Sequence, residues 1–344
     1  MLPTCCKPGG ENGTEMARND KKKNTLSLAQ PENGSSLPPK PGQETDKPSP
    51  SLGKVAVTFW GTRGSISTPG SGTEKYGGNT PCVSLAYGRS SIILDAGTGI
   101  RVLGIQLASR IRSEGPRAQH ILLSHTHWDH IQGLPFFQPA YMRETDLIIY
   151  GSSQKERFLE SILRGQMDIN YFPVQMKELA ANVSIREFED RFITIGDIDI
   201  EIQEQVLHPG GSIRFRIRAG GKTVIYATDV ELNAAFEPDH PTAKTRRLAA
   251  EYRAFIKNAD LLIADGQYSE PEYALKKGWG HTSVPLLLKV AHEQGVRQLA
   301  VFHHDPEHSD EFFDRMAKQY EPFYRDATPP MRLFWAREGM TVEL

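Results

Sequence analysis

The chain has 344 residues and a formal net charge of -2, and 38% of its residues are hydrophobic and 24% charged. This balance is typical of a globular protein and argues against broad non-specific binding of nucleic acid, although a local basic patch stays open. The three cysteines do not suit a disulfide framework, and no run of about 18 apolar residues predicts a membrane span. The N-terminus lacks the apolar segment of a signal peptide, so we expect a cytoplasmic protein.

Residues 1–53 differ in composition from the rest of the chain. The segment PENGSSLPPKPGQETDKPSPSLG is rich in Pro, Ser, Gly and charged residues and poor in apolar ones. Such a segment cannot bury enough apolar surface to offset the entropy of ordering it. We therefore predict a disordered tail over residues 1–53 and one folded domain over residues 54–344.

Strands dominate the beginning of this domain. Alternation and β-branched residues predict strands in KVAVTFWG, CVSLAYG and SSIILDAGTG, then an amphipathic helix in GIRVLGIQLASRIRS and a strand in HILLS. A helix is predicted around SQKERFLESILRG, and the stretch MDINYFPVQMKELAANVSI is ambiguous.

Strands and helices alternate towards the C-terminus. Strands are predicted in IDIEIQEQVL, SIRFRIRAGG and KTVIYATD, with AGGK as a hairpin turn. Helices in KTRRLAAEYRAFIKNA and SVPLLLKVAHEQG lead to strands in DLLIADG and RQLAVFHH, and a last helix and two short strands follow. This order predicts an α/β protein with two mixed β-sheets packed face to face and helices outside.

A dense polar cluster directly follows the predicted strand HILLS. The stretch HTHWDH contains His125, His127, Asp129 and His130. A turn after a strand can direct alternate side chains to one point and neighbouring ones to a second point. His125 and His127 would then hold one metal ion, and Asp129 and His130 the other. Imidazole together with carboxylate suits zinc, while manganese and iron stay open.

Four ligands cannot complete two metal sites, so further His and Asp residues are expected at later strand ends. His208 follows QEQVL, Asp229 follows KTVIYAT, and the doublet His303–His304 follows RQLAVF. Asp229 is the natural bridge between two ions, because one carboxylate has two oxygens to share. The doublet leaves open which of its two histidines is the ligand.

This histidine and aspartate pattern resembles that of the metallo-β-lactamase fold hydrolases. FWGTRGS, YGGNTPC, LDAGTGIRVLG and GHTS further resemble the branch that holds ribonuclease Z and the cyclic-phosphate and cyclic-nucleotide phosphodiesterases. The resemblance implies a four-layer αβ/βα sandwich of two mixed β-sheets flanked by helices over residues 54–344.

The resemblance also implies a set of metal ligands. It assigns His125, His127 and His208 to one zinc ion. It assigns Asp129, His130 and His303 to the other, with Asp229 bridging and Asp95 supporting the metal loop. His303 is preferred because the ligand of this family is the first residue past the strand. Two such ions suit hydrolysis, since they supply hydroxide at neutral pH and take up charge on a phosphoryl or carbonyl oxygen.

His281 in GWGHTS is the predicted proton donor for the leaving oxygen. In the phosphodiesterases that the sequence resembles, the matching histidine lies by the phosphate. We expect Gly278 and Gly280 to make its loop flexible, and Thr282–Ser283 to cap the helix that follows. Asp129 is a second candidate for catalysis, as a base.

The predicted function is a metal-dependent phosphodiesterase acting on a cyclic nucleotide or another small phosphodiester. The alternatives are ribonuclease Z-like cleavage of precursor tRNA, and hydrolysis of a lactone or a β-lactam. The long basic arm that grips tRNA is not visible between Tyr150 and Ile198, and the low net charge also disfavours tRNA. A homodimer stays open.

Three aromatic residues follow the metal cluster. Phe136, Phe137 and Tyr141 in GLPFFQPAY could stack a nucleobase beside the metals, or could belong to the core. The sequence leaves both readings open.

Overall fold

The computed structural model describes residues 53–153 and 158–344. The predicted tail lies outside the described residues apart from Gly53, so it stays a prediction. Within the described ranges, every helix is too short or too polar to cross a membrane.

Seven strands form the first β-sheet: β1 (Ala56–Gly61), β2 (Cys82–Tyr87), β3 (Ser90–Leu94), β4 (Arg117–Leu122), β5 (Thr145–Gly151), β6 (Asn182–Glu187) and β14 (Thr341–Glu343). Their order is β14-β1-β2-β3-β4-β5-β6. The pairs from β14 to β3 are antiparallel, and the pairs from β3 to β6 are parallel.

Seven strands also form the second β-sheet: β7 (Phe192–Ile195), β8 (Ile198–Gln205), β9 (Ser212–Ala219), β10 (Lys222–Ala227), β11 (Leu261–Asp265), β12 (Gln298–Phe302) and β13 (Arg332–Trp335). Their order is β13-β12-β11-β10-β9-β8-β7. The pairs from β13 to β10 are parallel, and the pairs from β10 to β7 are antiparallel. The turn between β9 and β10 is the predicted Gly220–Gly221 hairpin, and both glycines have positive φ.

The described residues form eight α-helices: α1 (Ile100–Glu114), α2 (Trp128–Ile131), α3 (Leu159–Gln166), α4 (Asn233–Phe236), α5 (Ala243–Ile256), α6 (Glu270–Leu275), α7 (Val284–Glu293) and α8 (Asp310–Arg325). The ambiguous stretch becomes a 3-10 turn, Met176–Glu178, followed by β6. β5 and β7 were not predicted. The helix around SQKERFLESILRG begins at Leu159, and residues 154–157 lie outside the described part.

Three apolar clusters mark the boundaries between four layers. Alternate side chains of one strand serve two clusters: Leu261 and Ile263 of β11 lie between the sheets, whereas Leu262 and Ala264 face α5, α7 and α8. On the first sheet, Ile93 packs with α1 and α3, and its neighbours Ile92 and Leu94 point between the sheets. Both sheets thus bury both faces, which confirms the predicted αβ/βα sandwich.

Candidate metal centre

The predicted ligands lie at one edge of the sandwich, where several strands end. Strands β3, β4, β10 and β12 end two residues or fewer before Asp95, Ser124, Asp229 and His303 respectively. Neighbouring parallel strands bring their carboxyl ends to the same edge of a sheet, as in other open α/β sheets that bind ligands there. Facing edges of two sheets therefore collect side chains that are far apart in sequence.

The first group of side chains contains His125, His127 and His208, whose nitrogens lie within 4.8 Å of one another. His208 Nε2 is 3.0 Å from His127 Nδ1. The buried Nε2 of His125 has no hydrogen-bond partner. A buried imidazole nitrogen without a partner is costly, unless another group such as a metal ion binds it.

The second group contains Asp129, His130 and His303. Asp129 Oδ2 lies 3.3 Å from His130 Nε2 and 3.1 Å from His303 Nε2, and these two nitrogens are 3.4 Å apart. All three side chains are buried. Two ring nitrogens and a carboxylate oxygen that converge in this way make a donor set typical of zinc.

Asp229 lies between the two groups. Its Oδ1 is 3.8 Å from Nε2 of both His125 and His208, and 3.3 Å from His303 Nε2. Its Oδ2 is 3.3 Å from His130 Nε2. One carboxylate thus reaches histidines of both groups, which is the geometry that a bridging ligand requires.

Neighbouring histidines keep the two carboxylates of the centre ionised. Burial by itself opposes ionisation of Asp129 and Asp229, but His130 and His303 hold the pKa of both carboxyls well below the usual range. Burial opposes protonation of His303 as well, but Asp229 and Asp129 raise its pKa to about 9. Burial lowers the pKa of His125 well below its ordinary value. A cage of ionised carboxylates with a neutral imidazole and an orphaned nitrogen fits divalent metal ions.

Asp95 accepts hydrogen bonds from the segment that carries the candidate ligands. His130 Nδ1 donates to Asp95 Oδ2 at 2.8 Å, and Tyr226 Oη donates to the same oxygen at 2.7 Å. The backbone N–H and the hydroxyl of Ser124 also donate to this carboxylate. Asp95 therefore orients His130 by fixing which ring nitrogen carries hydrogen and which faces the centre.

Left-handed backbone concentrates at this centre. Of the five non-glycine residues with positive φ in the described ranges, four serve it: Ser65, Asp95, Asp229 and His303. Ser65 was not predicted, and its backbone N–H donates to Asp129 Oδ2 at 2.7 Å. Such conformations cost about 1 kcal/mol or more each, so they indicate that the surrounding structure imposes these side-chain directions.

The structure separates the two histidines of the doublet. His303 Nδ1 donates to Gln267 Oε1, and its Nε2 faces Asp129 and Asp229. His304 instead donates from Nε2 to the carbonyl of Ala336 at 2.8 Å, and burial lowers its pKa to about 3. The left-handed turn at His303 directs successive side chains to different sides, so His303 is the one that reaches the centre.

His281 lies beside the cluster and is paired with a carboxylate that the sequence did not single out. Its Nδ1 donates to Asp265 Oδ2 at 2.7 Å, and its ring stacks on His303 with centroids 4.9 Å apart. Asp265 ends β11 and is fully buried. The signal was the same as for Asp229: an aspartate that directly follows an apolar strand.

The loop that carries His281 is held rather than flexible. The buried carboxylate of Glu231 accepts hydrogen bonds from the backbone N–H groups of Gly278 and Gly280, at 2.8 and 3.1 Å. Gly280 O in turn accepts from His208 Nδ1 at 3.0 Å. Two glycines allow the loop its positive φ angles, but Glu231 fixes it.

The prediction that the hydroxyls of Thr282 and Ser283 cap α7 is wrong. Ser283 occupies the N-cap position, but its side chain makes no capping bond and pairs with Asn233. Thr282 Oγ1 accepts from the backbone of Leu232 and donates to Val230 O. These hydroxyls satisfy buried groups of the segment after Asp229, so they join the His281 loop to the metal centre.

Gly280→Ala is expected to weaken metal binding by about 10–100-fold, the usual range for loss of a group that orients a ligand. A Cβ at this position would overlap the His208 ring and Pro209, so His208 must move. Gly278→Ala is the matched control, because Gly278 has a similar φ of 85° but an added Cβ meets no atom within 4 Å. Metal titration of both variants checks this, and equal affinities would contradict it.

Of the three aromatic residues after the cluster, one belongs to the core and two are exposed. Phe137 is fully buried and packs in the core under α1, so it cannot stack a ligand. Phe136 is 58% exposed and contacts the Phe172 ring edge-on. Tyr141 is partly exposed and donates to Pro135 O.

Comparisons with known proteins agree with this architecture. A β-lactamase superfamily domain model matches residues 90–304. Ribonuclease Z from Thermococcus onnurineus is 26% identical over 268 residues, covering 65% of this chain and 79% of that protein.

Two solved structures share the fold. YhfI from Bacillus subtilis, a metallo-β-lactamase fold protein, superposes with a TM-score of 0.55 at 19% identity, over 85% of this chain and all of that one. A diphosphatase of the PhnP family gives a TM-score of 0.54 at 15% identity, over 85% and 97% of the two chains. The domain match covers more than half of the sequence, and the fold implies divalent metal ions. The chain therefore belongs to the β-lactamase superfamily, as a metallo-β-lactamase fold hydrolase of the branch that holds ribonuclease Z and the cyclic-phosphate phosphodiesterases.

Proposed function

We propose that the protein is a binuclear metal-dependent phosphodiesterase that acts on cyclic nucleotides or other small phosphodiesters in the cytoplasm. His125, His127 and His208 would hold one ion, and Asp129, His130 and His303 the other. Asp229 would bridge them, since its oxygens reach nitrogens of both groups within 3.8 Å. Zinc is the metal that this donor set favours, and two such ions would supply hydroxide at neutral pH and neutralise phosphoryl charge.

The pair of His281 and Asp265 carries the proposal for a phosphodiester. Hydrolysis adds a hydroxyl to phosphorus and breaks the bond to an alkoxide, which is a poor leaving group and needs a proton. His281 stacks on His303 and is not one of the seven proposed ligands, although one of its ring nitrogens also lies within 4.8 Å of donor atoms of His208 and Asp229. Asp265 holds Nδ1 at 2.7 Å, which leaves Nε2 as the ring nitrogen that can donate to the leaving oxygen.

Asp129 is a weaker candidate for a catalytic base. Its Oδ2 already accepts from Ser65 N and lies within 3.3 Å of His130 Nε2 and His303 Nε2. A carboxylate oxygen surrounded in this way is placed to bind metal. We therefore assign Asp129 to ligation and the proton transfer to His281.

Cleavage of precursor tRNA is the second candidate, and the similarity to a ribonuclease Z supports it. Both reactions break a phosphodiester, so the same centre serves both. The described residues between Tyr150 and Ile198 form α3, β6, β7 and their connections, and Leu159 and Leu163 of α3 are buried in the core. This part of the chain packs on the body and does not resemble a projecting arm, which favours the small substrate.

A hydrolysis panel on the purified, zinc- or manganese-loaded full chain tests the proposal. It compares cyclic nucleotides, bis(p-nitrophenyl) phosphate, precursor tRNA, a homoserine lactone and a cephalosporin. We expect kcat/KM for a small phosphodiester to exceed that for the lactone and the cephalosporin by about 100-fold or more. Precursor tRNA as the best substrate would establish the second candidate, and preference for the lactone or cephalosporin would refute both.

A further inference from the structure

Two of the four tryptophans are exposed at the surface. Trp335 is buried, and Trp60 is half-buried with its Nε1 donating to Ser84 Oγ. Trp128 and Trp279, in contrast, are 75% and 62% exposed. An exposed indole ring offers a large apolar face and one N–H donor, which suits contact with a partner or a ligand.

Both exposed rings belong to segments that carry the candidate site. Trp128 lies between His127 and Asp129, and Trp279 lies two residues before His281. His208 joins the two segments, because its Nε2 is 3.0 Å from His127 Nδ1 and its Nδ1 donates to Gly280 O. One imidazole therefore links the side chain of His127, next to Trp128, to the backbone of Gly280, next to Trp279.

The backbone under both tryptophans is fixed. Glu231 binds the N–H groups of Gly278 and Gly280, on either side of Trp279, and the Lys276 ammonium lies 5.9 Å from the Trp279 ring. Trp128 begins α2, and its carbonyl accepts from Gln132 N at 2.7 Å. Rings presented on fixed backbone lose little entropy on binding, as a ligand platform requires.

We propose that Trp128 and Trp279 form a stacking site for the nucleobase next to the scissile phosphate. This inference rests on the proposed phosphodiesterase function and names its substrate class as nucleotides. Flat aromatic rings stack any base, because every base has a π-face. A second protein chain seated on the two rings would cover the candidate ligands beside them in the chain. We therefore choose a base as the occupant, because a nucleotide also carries the phosphate that the proposed metal centre would bind.

Kinetics on matched substrates test the stacking site. Trp128→Ala and Trp279→Ala should each raise KM for 2′,3′-cyclic AMP by about 5–150-fold, the range for loss of one base stack, with little change in kcat. KM for the base-free glycerol 1,2-cyclic phosphate should not change. Trp→Phe variants should keep most of the affinity. Phe323→Ala is the control, since Phe323 is a 68% exposed aromatic on α8.

Binding of AMP gives a readout that does not depend on turnover. AMP should quench the tryptophan fluorescence of the wild type. In direct titration, the Kd of the double Trp→Ala variant for AMP should rise at least as much as KM for 2′,3′-cyclic AMP rises in the single variants. Assays with precursor tRNA as an additional substrate distinguish the two sources of the base. A rise in KM for cyclic AMP alone indicates a free nucleotide, and a rise in KM for tRNA alone indicates an RNA terminus.

Three results would overturn the stacking site: an equal change in KM on both cyclic substrates, no change on any nucleotide substrate, or unchanged kinetics with loss of a dimer in size-exclusion chromatography. If the wild type cleaves only the base-free substrate, stacking fails while the phosphodiesterase stands. If it cleaves no phosphodiester, the proposed function fails. The AMP titration then tests the stacking site separately, and a wild type that does not bind AMP would refute that site.

Discussion

Replacing Asp229 is expected to remove at least one of two metal ions per chain and nearly all hydrolytic activity. Asp229 lies within 3.8 Å of four histidines that belong to both ligand groups, so its loss disconnects the two proposed sites. The effect should exceed the roughly 100-fold loss that follows removal of a group outside the ligand shell. Elemental analysis of the wild type should give two transition-metal ions per chain.

The choice of substitution matters because Asp229 has a φ of 56°. Alanine in this left-handed conformation adds a backbone cost of about 1 kcal/mol, whereas asparagine tolerates it. Asp229→Asn therefore isolates the loss of charge, and Asp229→Ala also removes the ligand atoms. Asp199→Ala is a control at an exposed aspartate of β8. An active wild type with one ion or none would refute the binuclear centre.

His281→Ala is expected to keep both metal ions and to lower turnover about 10²–10⁴-fold on a substrate with an alkoxide leaving group, the usual scale for a lost general acid. The loss should shrink sharply for a p-nitrophenolate leaving group, which needs no proton. Asp265→Asn should lower turnover in the same direction, because Asp265 holds His281 Nδ1.

A second histidine of the same region provides the control. His292 is on α7, where its Nε2 donates to Pro329 O, and His292→Ala should leave turnover unchanged. Metal content is measured in every variant, so that a lost ion is not mistaken for a lost acid. Equal losses on poor and good leaving groups would show that His281 is not the general acid. Full activity of His281→Ala on phosphodiesters would make lactones and β-lactams equally good candidates for the substrate.

The sequence by itself predicted two mixed sheets with helices outside and singled out the candidate ligands. Period-two alternation on strands such as β11 assigns Leu261 and Ile263 to one face and Leu262 to the other, which local residue order encodes directly. His125, Asp229 and His303 could be singled out because each follows an apolar strand, and strand ends are local signals too. The resemblance then supplied their grouping.

Only the tertiary structure decided how these side chains are oriented and supported. Glu231 and Gly278, Asp265 and His281, and Ser65 and Asp129 are pairs 16 to 64 residues apart, and no local pattern encodes such contacts. The sequence could not decide which histidine of the doublet reaches the centre, because the left-handed backbone at His303 is what directs His303 and His304 to different sides. The exposure of Trp128 and Trp279 was also decided by the tertiary structure, because local residue order does not show which side chains the described residues leave uncovered.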